Sequence, residues 1–76
     1  MSQTTIEEIA YAVKRAKDLA RYTGRIQYVC FIGGLLLQVT DKYESGREVA
    51  AKCWPGGRVE LRGPIGDQVR KYQEAK

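Results

Sequence analysis

The sequence predicts an α+β fold in the order α-β-β-β-β-α. A long N-terminal helix packs on a four-stranded antiparallel meander, and a short C-terminal helix closes the single 76-residue domain. Three observations lead there. Apolar residues recur at helical spacing from Ile6 to Ala20. Four β-rich runs follow between positions 25 and 62, bounded by glycine, serine and proline. The links between those runs are short, which favours antiparallel neighbours over parallel βαβ units.

The first helix is expected over residues 4–22. Thr4 serves as N-cap, and Glu7 completes a capping box. Glu7 and Glu8 suit the positive end of the helix dipole, and Gly24 ends the helix. At 100° per residue, Ile6, Ile9, Ala10, Val13, Ala16 and Ala20 share one stripe, widened by Ala12 and Leu19. Tyr11, Arg15 and Tyr22 fall on the opposite side.

Residues 25–41 read RIQYVCFIGGLLLQVTD, two β-rich runs around Gly33-Gly34. A two-residue glycine turn sets the register, with Cys30 opposite Leu37 and Tyr28 opposite Val39. Side chains alternate along a strand. One face then holds Ile26, Tyr28, Cys30, Ile32, Leu35, Leu37 and Val39, which is the expected core. The other holds Gln27, Val29, Phe31, Leu36, Gln38 and Thr40. A slip of one residue exchanges the two sets.

Ser45-Gly46 marks a turn before the third strand, residues 47–54, with Val49, Ala51 and Cys53 inward. Pro55-Gly56-Gly57 is the next turn. The fourth strand, 58–62, puts Val59 and Leu61 inward and Arg58, Glu60 and Arg62 outward. Gly63-Pro64 breaks it. A closing helix over 65–76 repeats Ile65, Val69 and Tyr72, with Asp67 as its cap.

Composition narrows the function classes. A chain this short buries only about 60% of the surface its unfolded form exposes. The 43% hydrophobic and 29% charged fractions describe an ordinary folded domain. No apolar run approaches the ~20 residues that cross a bilayer, so no membrane partner is expected. No secretory signal pattern precedes the first helix, and a cytoplasmic protein is the expectation. Cys30 and Cys53 read as two reduced, buried thiols. Without histidine and with only two cysteines, no metal site and no cofactor are expected.

The same absence removes Ser-His-Asp and Cys-His arrangements. No phosphate-cradling glycine motif is present. Nine carboxylates are scattered, and Glu7 and Glu8 point about 100° apart on their helix. The chain is therefore expected to be non-enzymatic, with no catalytic residue.

Two binding surfaces are the main candidates; a third, the turn at Lys42-Tyr43-Glu44, reads as a solvated connection. The outer sheet face carries Phe31 and Trp54 among Lys52, Arg58 and Arg62, with Gln38 beside them. Exposed aromatics among cations hold single-stranded nucleic acid, and the same residue types anchor protein interfaces. The competing reading has Phe31 and Trp54 covered by the last helix or by a second copy. The other surface is the helix stripe of Tyr11, Arg15 and Tyr22, otherwise a solvated face.

The α-β-β-β-α part of the order is similar to a double-stranded-RNA-binding domain, but the last helix lacks that family's lysine cluster and alanine-rich pattern. In size and plainness the chain resembles the small inhibitor proteins of phages and mobile elements, such as anti-CRISPR proteins. That resemblance implies an inhibitor that blocks a larger protein or nucleoprotein complex by covering its surface. A net charge of +4 argues against a DNA mimic, which needs an acidic face. Direct nucleic-acid binding, single-stranded or RNA, through the outer sheet face is the alternative. A structural homodimer is a third, and a monomer or homodimer is expected.

Overall fold

The computed structural model describes residues 5–32, 36–42 and 48–75. The elements are α1 (Ile6–Thr23), β1 (Gln27–Ile32), β2 (Leu36–Thr40), β3 (Glu48–Cys53), β4 (Val59–Leu61) and α2 (Gly63–Glu74). The fold is the expected one, a long helix, a four-stranded antiparallel sheet and a short helix.

The strand order is β2-β1-β3-β4, not the sequential order of a meander. β1 is central and pairs antiparallel with both β2 and β3, so β2 and β3 point the same way. The link over 41–47 permits this. Seven residues reach about 23–25 Å when extended, more than the ~17 Å length of β2. The expected turn at Ser45-Gly46 lies outside the described residues.

The cap of α1 sits one residue later than expected. Thr5 is the N-cap: the Glu8 amide donates to Thr5 Oγ1 at 3.1 Å, and Glu8 reaches back to the Thr5 amide. The run Thr4-Thr5-Ile6-Glu7-Glu8 spells the capping box in two frames, and Thr4 lies outside the described residues. Gly24 ends the helix with φ +71°, as expected, its amide bonded to the Ala20 carbonyl.

The β1–β2 register is offset by one from expectation. Phe31 pairs with Leu37, Val29 with Val39 and Cys30 with Gln38. The proposed Gly33-Gly34 turn lies outside the described residues, but three positions separate the paired Ile32 and Leu36. The faces of β1 are therefore exchanged. Val29 and Phe31 join the core under α1, while Tyr28 and Cys30 turn to the other side. Gln27 faces the helix too, and its buried amide donates to Thr23 Oγ1 at 3.3 Å.

One core row now crosses the whole sheet through paired residues: Val39, Val29, Ala51, Leu61. Ile9, Ala12, Val13, Ala16 and Ala20 cover it from α1, and Val69 from α2. Both helices thus pack on one face. A bulge at Ala50 lets two consecutive residues, Ala50 and Ala51, be buried in β3. The Ala50 carbonyl accepts the Arg62 amide at 2.8 Å, which ties the bulge to the start of α2.

That helix begins two residues before the expected start. Arg62 is its N-cap but its side chain does not cap the helix, and Pro64 sits in the first turn, where its missing N–H is no loss. Asp67 caps nothing and instead lies 3.7 Å from Arg70. Cys30 and Cys53 are both buried and outside any disulfide, as expected of reduced thiols, and the Cys53 thiol donates to the Val13 carbonyl at 3.8 Å. They belong to opposite faces of the sheet. Burial pushes the Cys53 thiol above its usual range, against the opposing charge of Lys17.

Candidate binding face

Among the described residues, no helix or strand packs on the sheet face opposite α1 and α2, although Cys30 on that face is only 2% exposed. A second row of paired residues crosses that face: Thr40, Tyr28, Lys52, Glu60. Alternation puts Trp54, Arg58 and Arg62 on it as well.

The turn after β3 brings Trp54 and Arg58 together. The Trp54 amide donates to the Arg58 carbonyl at 2.8 Å, and the Gly57 amide donates to the Trp54 carbonyl at 3.0 Å. Gly57 has φ +97°, a conformation in which a side chain would be strained, so the glycine is needed for this closure. Cys53 pairs with Val59, so Trp54 and Arg58 meet at the mouth of the turn.

The result is a cation–aromatic cluster. Lys52 Nζ lies 4.8 Å from the Trp54 ring centre and 5.7 Å from that of Tyr28. Arg58 Cζ lies 4.7 Å from the Trp54 ring centre. Cations over aromatic faces are held by the ring quadrupole, at roughly 0.5–1 kcal/mol for exposed pairs. Two cations placed on one indole restrict one another's positions and that of the ring.

Glu60 is the acid within this set. Arg62 Nε donates to Glu60 Oε1 at 2.7 Å. That bond holds the Glu60 carboxyl below its usual range. Partial desolvation opposes it, and the charges of Arg62, Arg58 and Lys52 reinforce it. A carboxyl lowered on folding adds stability above its unfolded pKa, and the gain is lost as pH falls through the folded value. Carbon-detected NMR titration should therefore find Glu60 titrating below the ordinary glutamate range, with Arg62→Ala moving its midpoint up. An unmoved midpoint would contradict the dominance of that bond.

The structure brings together Lys52, Trp54, Arg58 and Arg62 of the predicted surface. Gln38 shares the face but stands beyond β1, opposite Cys30. Phe31 is not part of it: at 6% exposure it belongs to the helix-facing core, because the β1 faces are exchanged. Tyr28 takes the place assigned to Phe31. Its hydroxyl was the available signal, since a tyrosine in a two-faced strand favours the side where its polar tip is wet. Glu60 was recognised as outward but not as the pivot of the cations. Tyr11, Arg15 and Tyr22 lie on α1, apart from this cluster: Tyr11 and Arg15 line the groove between α1 and β2, Tyr22 does not, and Tyr11 is 67% and Tyr22 90% exposed.

Among the described residues no group of three or more histidine, cysteine, aspartate or glutamate side chains is placed to hold a metal ion. Among them, no helix is long and apolar enough to cross a membrane. No protein-family model matches the chain, and no curated protein or solved structure matches it.

Proposed function

We propose that this protein is a non-catalytic binding module that covers the surface of a larger protein or nucleoprotein complex with the Trp54 end of the sheet face opposite its helices. An inhibitor of the phage or mobile-element kind, anti-CRISPR-like, acting in the cytoplasm, is the setting that this reading fits. Its main support is the Trp54 indole with Lys52 and Arg58 set against it at 4.8 and 4.7 Å. Tryptophan and arginine are the residue types that anchor protein interfaces, and ordering them before contact lowers the entropy cost of docking. Three cations against one carboxylate suit an acidic patch on the partner. Stacking a base on Trp54 requires a ring face that its own cations already engage, which favours protein contact over single-strand stacking.

The second reading is nucleic-acid binding through the same face. The row of Tyr28 and Lys52 beside Arg58 and Arg62 favours it, since rings and cations together track a single strand. One experiment separates the two. Tagged protein is incubated with nuclease-treated host lysate, and separately titrated with single-stranded oligonucleotides across a salt series. Protein occlusion predicts that a partner is retained after nuclease, that Trp54→Ala abolishes its capture, and that Lys71→Ala on α2 does not. Nucleic-acid binding predicts a log–log salt slope of roughly −0.7 per phosphate contacted, reduced by about one contact in Arg58→Ala. Capture that Trp54→Ala leaves intact, together with no oligonucleotide binding at low salt, would sink both readings.

A further inference from the structure

We propose that two copies of this chain pair through β2, antiparallel about a two-fold axis at Gln38, joining their sheets edge to edge. This inference is independent of the open-face reading. Among the described residues β2 is one edge of the sheet. Its sequence, Leu36-Leu37-Gln38-Val39-Thr40, carries no charge and no proline, and its pairing with β1 shows no bulge. Those are the devices by which exposed edges avoid pairing with other chains. The opposite edge has them: β4 is three residues long, contains Glu60, and is flanked by Arg58 and Arg62.

The surface beside β2 is self-complementary. An open groove of about 1020 Å³ runs between β2 and α1, floored by Leu37, Val39, Ala12 and Leu19. Leu37, Val39 and Leu19 are only half-buried. Pairing about Gln38 sets Leu37 against Val39 of the second copy, twice, and covers this apolar floor. The charges on the groove wall also match. Glu8 and Arg15 both line it and stand seven residues apart, which is close to two helical turns, about 10 Å along one stripe of α1. In a two-fold pair the two α1 helices run antiparallel, so Glu8 of each copy is carried toward Arg15 of the other. With Glu7 and Lys14 included, this wall has equal numbers of acids and bases, although the chain carries +4. A self-pairing surface needs such a balance, because an excess of either sign would repel its own copy.

Size exclusion with light scattering, run over a concentration series at low salt, is expected to give twice the 8.6 kDa chain mass. Arg15→Glu brings two acids together at each symmetric contact and is expected to weaken dimerisation at least roughly tenfold. Glu8→Lys does the same with two bases. Mixing the two variants restores opposite charges at both contacts, so a mixed dimer is expected to return. Glu8 also caps α1, and far-UV circular dichroism of each variant establishes that it is folded before mixing. Gln38→Lys, which sets two like charges against each other on the axis itself and lies on the sheet face away from the helices, is expected to give a folded monomer. A wild type that stays monomeric at every concentration would overturn the proposal. So would a dimer indifferent to both charge changes and to Gln38→Lys, or charge variants that dissociate and fail to re-pair on mixing.

Discussion

Phe31→Ala is expected to lower stability by about 3–5 kcal/mol, the range for truncating a buried aromatic. Phe31 is 6% exposed and belongs to the cluster with Ile9, Val13 and Val29. A domain of this size holds roughly 4–11 kcal/mol in total, at 0.05–0.15 kcal/mol per residue. The variant should therefore be close to unfolded at room temperature. Tyr28→Ala, three positions earlier on the other face, removes a half-buried ring and one cation contact. It should cost much less, about 1–2 kcal/mol. Urea titration of both variants reads the difference directly as a shift in midpoint. A larger loss from Tyr28→Ala would mean that β1 presents its other face to the helices.

Gly66→Ala should destabilise the protein by about 1–3 kcal/mol, the usual cost of overpacking a tight contact. Helix propensity alone argues the reverse, since alanine is better than glycine inside a helix by about 1 kcal/mol. The geometry decides the sign. A Cβ on Gly66 would lie 2.8 Å from the Leu61 backbone carbon, 3.1 Å from its Cβ and 3.3 Å from the Ala50 carbonyl oxygen. Two of those three are backbone atoms of the sheet. The Ala50 carbonyl is already fixed by the Arg62 amide. To admit a methyl group, α2 must lift off β4, which also loosens Val69 from the core. Gln68→Ala, on the exposed side of the same helix, is the control and should be neutral or slightly stabilising. Each kcal/mol corresponds to roughly 4–8 °C in a domain of this size, so a thermal melt resolves the pair. A raised melting temperature for Gly66→Ala would show that α2 does not sit against β4 at this distance.

Local chemistry that has one solution was readable from the chain alone. The stripe from Ile6 to Ala20 has a single apolar side, and α1 buries that side. Gly24 ends the helix because a left-handed residue was required there. Val59 and Leu61 face inward, and Arg58, Glu60 and Arg62 outward, because a strand with one charged face can be placed only one way. Trp54, Lys52, Arg58 and Arg62 reached the open face by the same logic. What the sequence left undecided were the places with two solutions of nearly equal energy. Thr4-Thr5 followed by Glu7-Glu8 offers two capping frames, and the helix uses the second. β1 is apolar on both sides, so alternation could not say whether Phe31 or Tyr28 is buried. Contact with the alanine-rich face of α1 and with Ala51 settled that, and it moved Phe31 off the predicted binding surface. Strand order was undecided too, because pairing between β1 and β3 is a long-range contact with no local signature. The bulge at Ala50, the Arg62 amide bonded to it and the close seat of Gly66 exist only once those distant segments meet. Tertiary packing thus chose among local alternatives whose energies hardly differ, and in doing so placed Tyr28 beside Lys52 and Trp54 on the open face.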